Sequence, residues 1–398
     1  MNLPKSCAIS LLVVAVQLGV AGGQTITFAN LYNFSNTDGN QPLVGMIQGA
    51  DGNLYGTTSL GGTSTNCPPF GGCGTVFKIS PSGLFTNLHN FSGTDGSMPQ
   101  APLIQGRDGY FYGVAIYGGT GGGFGNGTIF RVSSSGAFTN LWFFTSGTDG
   151  DHPSSIVQGN DGYLYGVTIE GAANFDGAAF KISTNGNLTP LATFDDTTNG
   201  RAILLSTDGY FYGTSPGAGP SGNGSVFRMS TAGVVTNLYF FTGGSGGATP
   251  RAGLTQGNDG NFYGTTAVGG TFGSGTVFRI TSSGSLTTLH NFGGNDGAGP
   301  WSALVLGSDG QFYGTTSIGG SALCNGGCGT VFRISTNGTF KTLRFLNGTT
   351  DGDAPYGGLV QGYDGKFYGV DNEGGTGYGT LFKLFVALNP AANQINTF

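Results

Sequence analysis

The sequence predicts an all-β fold: a closed, seven-bladed β-propeller with four strands in each blade. The first observation behind this prediction is an internal repeat of about fifty residues. The second is that each repeat holds four short strand-like segments bounded by turn residues. Composition agrees, because 80 of the 398 residues are glycine and 12% are aromatic. This mixture is typical of tight turns between aromatic strands.

The repeat is marked by an Asp-Gly turn that is followed by Leu-Tyr-Gly or Phe-Tyr-Gly. A β-helix coil is about half as long as this unit or shorter, whereas a four-stranded propeller blade has the right length. Seven copies therefore predict seven blades. The copies begin at Asp51, Asp108, Asp161, Asp208, Asp259, Asp309 and Asp364.

The unit at 101–144 illustrates the four predicted strands. They are "APLIQG" (101–106), "YFYGVAIYGG" (110–119), "GTIFRVS" (127–133) and "AFTNLWFF" (137–144). An Asp-Gly turn joins the first two, and a Ser-Gly turn joins the last two. By propeller connectivity these two turns lie on one face. The loop between the second and third strands and the inter-blade loop then lie together on the opposite face.

The two ends of the chain predict how the ring closes. The last unit begins at Tyr356 and ends in "GTLFKLFVAL", so it has three strands and lacks a fourth. The N-terminal segment "TITFANLYNF" matches the fourth-strand pattern "LFTNLHNF". We expect this segment to complete the last blade, which removes the open sheet edge. The alternative, an open solenoid, would leave both ends unpaired.

The N-terminus predicts export. Lys5 is followed by an apolar run from Ala8 to Ala21 and by small residues, the pattern of a signal peptide. An uncleaved short membrane anchor is the alternative. We divide the chain into a signal peptide (1–23), the propeller (24–388) and a C-terminal tail (389–398). The product is expected to be secreted or held at the cell surface, monomeric, and not inserted in a membrane after cleavage.

Charge and cysteine content narrow the function. Nucleic acid is not an expected partner, because its recognition needs a basic surface and the net charge of −6 gives no reason to expect one. Of the five cysteines, Cys7 lies in the predicted signal peptide. The other four form two local pairs, "CPPFGGC" and "CNGGC", which predict two small disulfide loops in an oxidising compartment. A four-cysteine zinc site would need the pairs to meet, and they lie in blades that are not neighbours. The predicted disulfides are Cys67–Cys73 and Cys324–Cys328.

Most repeated residues have structural interpretations. The Asp of the turn is explained by turn chemistry. The Tyr is predicted to pack between blades with its hydroxyl hydrogen-bonded, and the Gly after it to allow close approach between sheets. One base per third strand is expected to pair with a carbonyl or carboxylate or to reach solvent. The alternative is an anion-binding ring of these bases, which are Lys78, Arg131, Lys181, Arg228, Arg279, Arg333 and Lys383.

Binding residues are better sought in the loops that differ between units. The loops that vary are the inter-blade loop and the loop between the second and third strands, and we call the face that carries them the variable-loop face. The inter-blade loops place carboxylates on this face, where they would suit sugar hydroxyls or Ca²⁺. The alternative is a second set of Asp-Gly turns, and without EF-hand spacing no cofactor is predicted. The candidate binding residues are Asp38, Asp95, Asp149, Asp151, Asp296, Asp351 and Asp353.

Catalytic signals are few. No HExxH, Walker or GxSxG motif occurs. Glycoside hydrolysis needs two suitably spaced carboxylates. Four acidic residues depart from the repeat pattern near the loop between the second and third strands, and they are the only catalytic candidates. They are Glu170, Asp176, Asp371 and Glu373.

The combined pattern "YGTTxxGG…GTVF[KR]I" and "GxFTxLxxF" resembles the GloVer-type tandem repeat, found in bacterial proteins called choice-of-anchor tandem repeat proteins. The resemblance covers Thr25 to Leu388. It implies a secreted or surface-displayed protein and brings no catalytic residues. We therefore predict an extracellular binding or display module for a glycan or protein ligand. The alternatives are a carbohydrate-active hydrolase or lyase on the same scaffold and a structural surface protein.

Overall fold

A computed structural model describes residues 26–67, 71–120, 124–172, 175–196, 198, 200–324, 326–348 and 351–387. These residues form seven four-stranded antiparallel sheets in a ring, which confirms the predicted propeller. The predicted signal peptide and C-terminal tail lie outside the described residues. Within the described part of the chain, no helix is long and apolar enough to cross a membrane.

The blades follow chain order, and blade VII joins both ends of the chain. Blade I contains β2 (Ile47–Gln48), β3 (Leu54–Thr58), β4 (Thr75–Ile79) and β5 (Phe85–Asn90). Blade II contains β6 (Ile104–Gln105), β7 (Phe111–Ala115), β8 (Thr128–Val132) and β9 (Phe138–Phe143). Blade III contains β10 (Asp151–Gln158), β11 (Leu164–Glu170), β12 (Ala178–Ile182) and β13 (Leu188–Thr193). Blade IV contains β14 (Ala202–Leu205), β15 (Phe211–Ser215), β16 (Ser225–Met229) and β17 (Val235–Phe240).

The remaining blades repeat the same order of strands. Blade V contains β18 (Thr255–Gln256), β19 (Phe262–Thr266), β20 (Thr276–Ile280) and β21 (Leu286–Asn291). Blade VI contains β22 (Val305–Leu306), β23 (Phe312–Thr316), β24 (Thr330–Ile334) and β25 (Phe340–Phe345). Blade VII contains β26 (Val360–Gln361), β27 (Phe367–Asp371), β28 (Thr380–Val386) and β1 (Ile26–Asn33).

Ring closure occurs where it was predicted. Strand β1 pairs antiparallel with β28, from Ile26 opposite Val386 to Asn33 opposite Thr380. The ring of Phe28 stacks on that of Phe382 with centroids 4.9 Å apart. The N-terminal strand is therefore the fourth strand of the last blade, and it covers the edge that β28 would otherwise expose.

The Asp-Gly turns and the repeated tyrosines form one device. In all seven units the Tyr Oη donates a hydrogen bond to Oδ2 of the turn aspartate, at 2.5–2.9 Å. The glycine that follows the turn aspartate has a positive φ, 78° at Gly260, as tight hairpin turns require. Burial, and then the hydrogen bond to Asp259, raises the pKa of Tyr263 to about 12. The predicted turn and packing roles are confirmed.

The same tyrosines connect neighbouring blades. At five of the seven joints the Tyr ring lies against the Phe ring of the next blade's second strand, with centroids 3.7–4.4 Å apart. At the other two joints this position is Leu164 or Leu54. The five Tyr–Phe pairs are Tyr55–Phe111, Tyr165–Phe211, Tyr212–Phe262, Tyr263–Phe312 and Tyr313–Phe367.

Two further repeat positions have structural roles. A Cβ on Gly264 would lie 2.6 Å from Cζ of Phe278, on the next strand of the same blade. The close approach is therefore within a sheet, and the predicted approach between sheets is wrong. Three of the third-strand bases, Lys78, Arg131 and Lys383, donate to carbonyls of the next blade, as with Lys78 Nζ to the Ser134 oxygen at 2.8 Å. That contact favours the structural interpretation of this position over an anion-binding ring.

Candidate functional site

The predicted inter-blade aspartates are hydrogen-bond acceptors within their own loops. In five blades a side chain near the end of the fourth strand donates to the aspartate of the loop that follows. At the end of blade I, Nε2 of His89 lies 3.0 Å from Oδ2 of Asp95, and the Ser92 amide donates to Oδ1 at 2.7 Å. The pairs are Tyr32–Asp38, His89–Asp95, Trp142–Asp149, His290–Asp296 and Arg344–Asp351.

Two of these pairs contain a group with a shifted pKa, Asp95 and His290. Burial raises the pKa of Asp95, but the hydrogen bonds from His89 and Ser92 outweigh it, so the net shift is downward. Burial lowers the pKa of His290, although its hydrogen bond to Asp296 opposes this. Each carboxylate therefore organises its own loop. A ligand-binding role for the set stays a prediction.

Both predicted disulfides form, between Cys67 and Cys73 and between Cys324 and Cys328. Each closes a lengthened loop between the second and third strands, in blades I and VI. These blades are not neighbours in the ring, so the two cysteine pairs do not meet. The disulfides stiffen two loops of the variable-loop face.

A cavity of about 730 Å³ lies at the centre of the ring, and all seven blades line it. Its wall consists of the innermost strands and the residues just before them. One residue per blade directly follows a proline (Gly200 in blade IV) and lies where the inter-blade loop ends, or within β10 in blade III. We call these residues the channel-mouth ring: Leu43, Gln100, Ser154, Arg201, Arg251, Trp301 and Tyr356.

The backbone before the ring is built alike in six blades. The residue before the proline has a positive φ of 52–59°. In blade II the amide of Met98 donates to the carbonyl of Cys73 in blade I, at 2.9 Å. This residue thus joins two blades and fixes where the next side chain lies. The six residues are Gln41, Met98, His152, Thr249, Gly299 and Ala354.

Four consecutive members of the ring form a charged and aromatic arc. The Arg251 guanidinium lies over the Trp301 ring, 4.2 Å from its centroid. The Trp301 and Tyr356 rings meet edge to face, with centroids 5.1 Å apart. Burial lowers the pKa of Arg201, and the positive charge of Arg251 lowers it further. The two arginines are therefore close enough to repel each other.

The arc has no negative partner in the part of the chain that the structure describes. The ion pairs there involve other residues, and none includes Arg201 or Arg251. Trp301 is 38% exposed although it is large and apolar. Two adjacent guanidinium groups beside an open aromatic surface can receive an anion through several charge-assisted hydrogen bonds. No sequence motif marks the arc, so none of its four residues was predicted as a binding residue.

Comparison with known proteins identifies the repeat. A family model described as the Gloeobacter/Verrucomicrobia repeat matches residues 14–203 and 199–397. The chain belongs to the Gloeobacter/Verrucomicrobia repeat family. This confirms the resemblance to a tandem-repeat family seen in the sequence. No curated protein matches the chain in sequence.

Solved structures share the fold of this Gloeobacter/Verrucomicrobia repeat protein at low identity. A streptogramin B lyase structure is 17% identical with a TM-score of 0.61, covering 92% of this chain and 98% of its own. A catalytically inactive virginiamycin B lyase from Staphylococcus aureus with quinupristin is 16% identical, with a TM-score of 0.60 and coverages of 91% and 99%. An extracellular domain assigned to a hybrid two-component system of B. thetaiotaomicron is 11% identical, with a TM-score of 0.59 and coverages of 89% and 39%. At these identities the likeness shows the propeller scaffold alone.

The predicted catalytic carboxylates of this family member fall in two separate blades. Glu170 ends β11 and Asp176 follows it in blade III, whereas Asp371 ends β27 and Glu373 follows it in blade VII. Blades III and VII are not neighbours in the ring. Asp371 is fully buried, and burial raises its pKa well above the usual range. The structure therefore does not bring the four residues together into one site.

Proposed function

We propose that this protein is an exported binding module that holds an acidic glycan at the channel-mouth ring. The observation that carries the proposal is the pair Arg201 and Arg251, partly buried beside Trp301 and without a carboxylate partner among the described residues. Two desolvated positive charges side by side disfavour each other unless an anion lies between them. A bound carboxylate or sulfate would supply that charge.

The aromatic half of the arc supports a glycan over a small inorganic anion. Trp301 and Tyr356 present amphipathic rings, each with an apolar body and a polar tip. Such rings, with a few convergent polar groups, are typical of concave ligand sites. A sugar ring would lie along this surface while its acidic group reaches the arginines. The ligand would enter from the face that carries the variable loops.

Export is part of the same proposal. Two disulfides within one chain are typical of an oxidising compartment. The N-terminal apolar run supports a secretory signal. Extracellular domains are among the solved structures that share the scaffold. A secreted or surface-held propeller with a rigid ligand site is consistent with all three observations.

The test uses the mature chain on an array of acidic and neutral oligosaccharides, including oligogalacturonates and sulfated glycans. Isothermal titration then measures the Kd of the tightest acidic ligand. Arg201→Gln and Arg251→Gln should each weaken binding about 10- to 100-fold, because each removes charge-assisted hydrogen bonds. The matched control is Arg107→Gln, which removes the same charge from an exposed turn on the opposite face.

The outcomes separate binding from catalysis. Melting temperatures of the arginine variants should equal or exceed that of the wild type, since like-charge repulsion is relieved. Sustained release of reducing ends or unsaturated uronates from the bound glycans would make the protein an enzyme. Binding of neutral glycans alone, or equal affinity in the arginine variants, would refute the proposed site.

A further inference from the structure

Blade III carries a second cluster of chemically active side chains, next to the channel mouth but distinct from the arc. Nδ1 of His152 lies 3.0 Å from Oδ1 of Asp151 and 3.5 Å from Oε2 of Glu170. One donor atom from each of the three residues fits within a span of 4.8 Å. We propose that Asp151, His152 and Glu170 bind a divalent first-row transition-metal ion, with Zn²⁺ as the best-fitting case.

The strand register gives the first reason for a cation here. Asp151 on β10 lies directly opposite Glu170 on β11. Two carboxylates directly opposite each other on neighbouring strands are destabilising unless a positive charge lies between them. In four other blades the same register position holds no acid. Those pairs are Asn40–Leu60, Ser97–Tyr117, Ala248–Val268 and Ala298–Ile318.

Blade VII supplies an internal comparison. It has the same pair of acids, with Asp353 opposite Glu373, but the residue that corresponds to His152 is Ala354. Burial raises the pKa of Asp353, against a hydrogen bond from the amide of Ala354. Blade VII thus has two of the three donors and lacks the imidazole. Only blade III offers a mixed set of oxygen and nitrogen donors at this position among the described residues.

The environment of the Asp151 carboxylate also supports a bound cation. The residue is 8% exposed, and its buried Oδ1 accepts no hydrogen bond among the described residues. Although Nδ1 of His152 is 3.0 Å away, the two atoms are not aligned as donor and acceptor. Atoms that approach closely without a mutual hydrogen bond have the arrangement of two ligands of one ion. Separations of 3.0–3.5 Å suit donors about 2.0–2.2 Å from a shared zinc.

Neighbouring residues hold the ligands in place. Ser146 Oγ donates to Oδ2 of Asp151 at 2.6 Å, which leaves Oδ1 for the ion. The ring of Tyr117 meets the imidazole of His152 edge to face, with centroids 4.7 Å apart. Such supporting contacts orient metal ligands and raise affinity. The cluster therefore has a second layer of residues as well as its three ligands.

The donor set decides the class of ion. Ca²⁺ takes six to eight oxygen ligands and does not favour imidazole. One imidazole and two carboxylates suit Zn²⁺ and its first-row neighbours. The Glu170 side chain is 60% exposed, so water can complete the coordination. Three protein ligands with an accessible position differ from the closed four-ligand sites that only stabilise a fold.

The test is isothermal titration of the metal-stripped full mature chain with ZnCl₂, followed by the absorption spectrum with Co²⁺. We expect one equivalent of Zn²⁺ per chain. His152→Ala gives blade III the residue of blade VII and should abolish binding, as should Glu170→Gln at an exposed side chain. Glu373→Gln, at the matching position in blade VII, should bind Zn²⁺ like the wild type.

A positioning variant sharpens the assignment. Ser146→Ala should weaken Zn²⁺ binding about 10- to 100-fold, because Asp151 loses the hydrogen bond that orients it. Melting curves without metal establish that each variant is folded. Absence of Zn²⁺ binding by the wild type would overturn the proposal, and so would equal affinity in the folded His152→Ala and Glu170→Gln variants. Because no glycan is present, failure here is independent of the proposed function.

Discussion

Asp371 shows how one substitution disturbs a repeat position. In blades I, V and VI this position is Thr, and its hydroxyl lies 2.9 Å from the hydroxyl of the Thr that opens the third strand. In blade VII, Thr380 donates to Oδ2 of Asp371 at 3.0 Å, while the buried Oδ1 has no partner among the described residues. Burial raises the pKa of Asp371 well above its usual value, and the charges of Asp351 and Asp353 raise it further.

We predict that Asp371→Thr raises the free energy of unfolding by about 1–3 kcal/mol near neutral pH, because it removes an unsatisfied buried polar group. The folded pKa of Asp371 lies above the unfolded value of 3.8. The contribution of Asp371 to stability is therefore greatest below about pH 4 and is lost as the pH rises through its folded pKa. The variant lacks this loss, so its advantage grows with pH.

Thermal denaturation over a pH series measures the effect. Asp371→Asn is the control, since it removes the charge while keeping the shape of the side chain. It should flatten the pH dependence without adding the Thr–Thr contact. Parallel pH profiles for the wild type and both variants would show that Asp371 does not titrate differently in the folded state.

At the scale of strands, the sequence predicted the number and order of elements because every unit repeats the same turn chemistry. It overestimated their lengths. The first strand is two residues long in five blades. The predicted second strand of blade II ends at Ala115, because Tyr117 pairs instead with Ser97 of the inter-blade loop. Such a change of partner depends on tertiary contacts that a local pattern does not contain.

The β1 closure makes a prediction at this scale. Deleting 26–33 should lower the free energy of unfolding by at least about 3 kcal/mol, comparable to the loss of one buried aromatic side chain. The deletion removes Phe28 from Phe382 and exposes the edge of β28. Chemical denaturation measures the change, and a synthetic peptide of the deleted strand should restore part of it. An unchanged denaturation midpoint would contradict closure by this strand.

At the scale of the molecule, the blades are joined by a discontinuous series of aromatic pairs. Tyr rings meet Phe rings at five joints, while Leu replaces Phe at the joints between blades II and III and between VII and I. Aromatic pairs add about 0.5–1.5 kcal/mol beyond the burial of their area. The ring thus has two joints that lack this contribution, and one of them adjoins blade VII, in which the two ends of the chain pair.

We predict that Phe262→Leu, which copies the joint at Leu164, lowers the free energy of unfolding by about 1–2 kcal/mol. The Tyr212 ring loses its partner at 4.0 Å, while most of the apolar volume remains. Urea denaturation measures the loss, and the m-value should stay constant because the fold is kept. A change below about 0.5 kcal/mol would show that the stacked pair adds little beyond its apolar area.

The candidate site was less predictable than the fold. The inter-blade aspartates, which were the predicted binding residues, are hydrogen-bonded in their own loops. The residues of the arc were not predicted, because Arg201, Arg251 and Trp301 lie about fifty residues apart in the sequence. They meet only because each unit places the same position at the ring axis. Aligning six units by their prolines, and blade IV by Gly200, identifies this position as one that varies. The position forms a candidate site only because the blades are arranged around one axis, and a local sequence motif does not contain that information.

The channel-mouth ring also bears on how such a protein can acquire new ligands. In six of the seven blades the channel-mouth side chain comes from a segment outside the strands, and in blade III Ser154 lies at the register irregularity of β10. One codon can therefore change with little effect on a strand. Duplication or exchange of a whole unit would carry its residue to another place around the axis. Substitutions at these seven positions can therefore change ligand specificity while the propeller architecture is inherited unchanged.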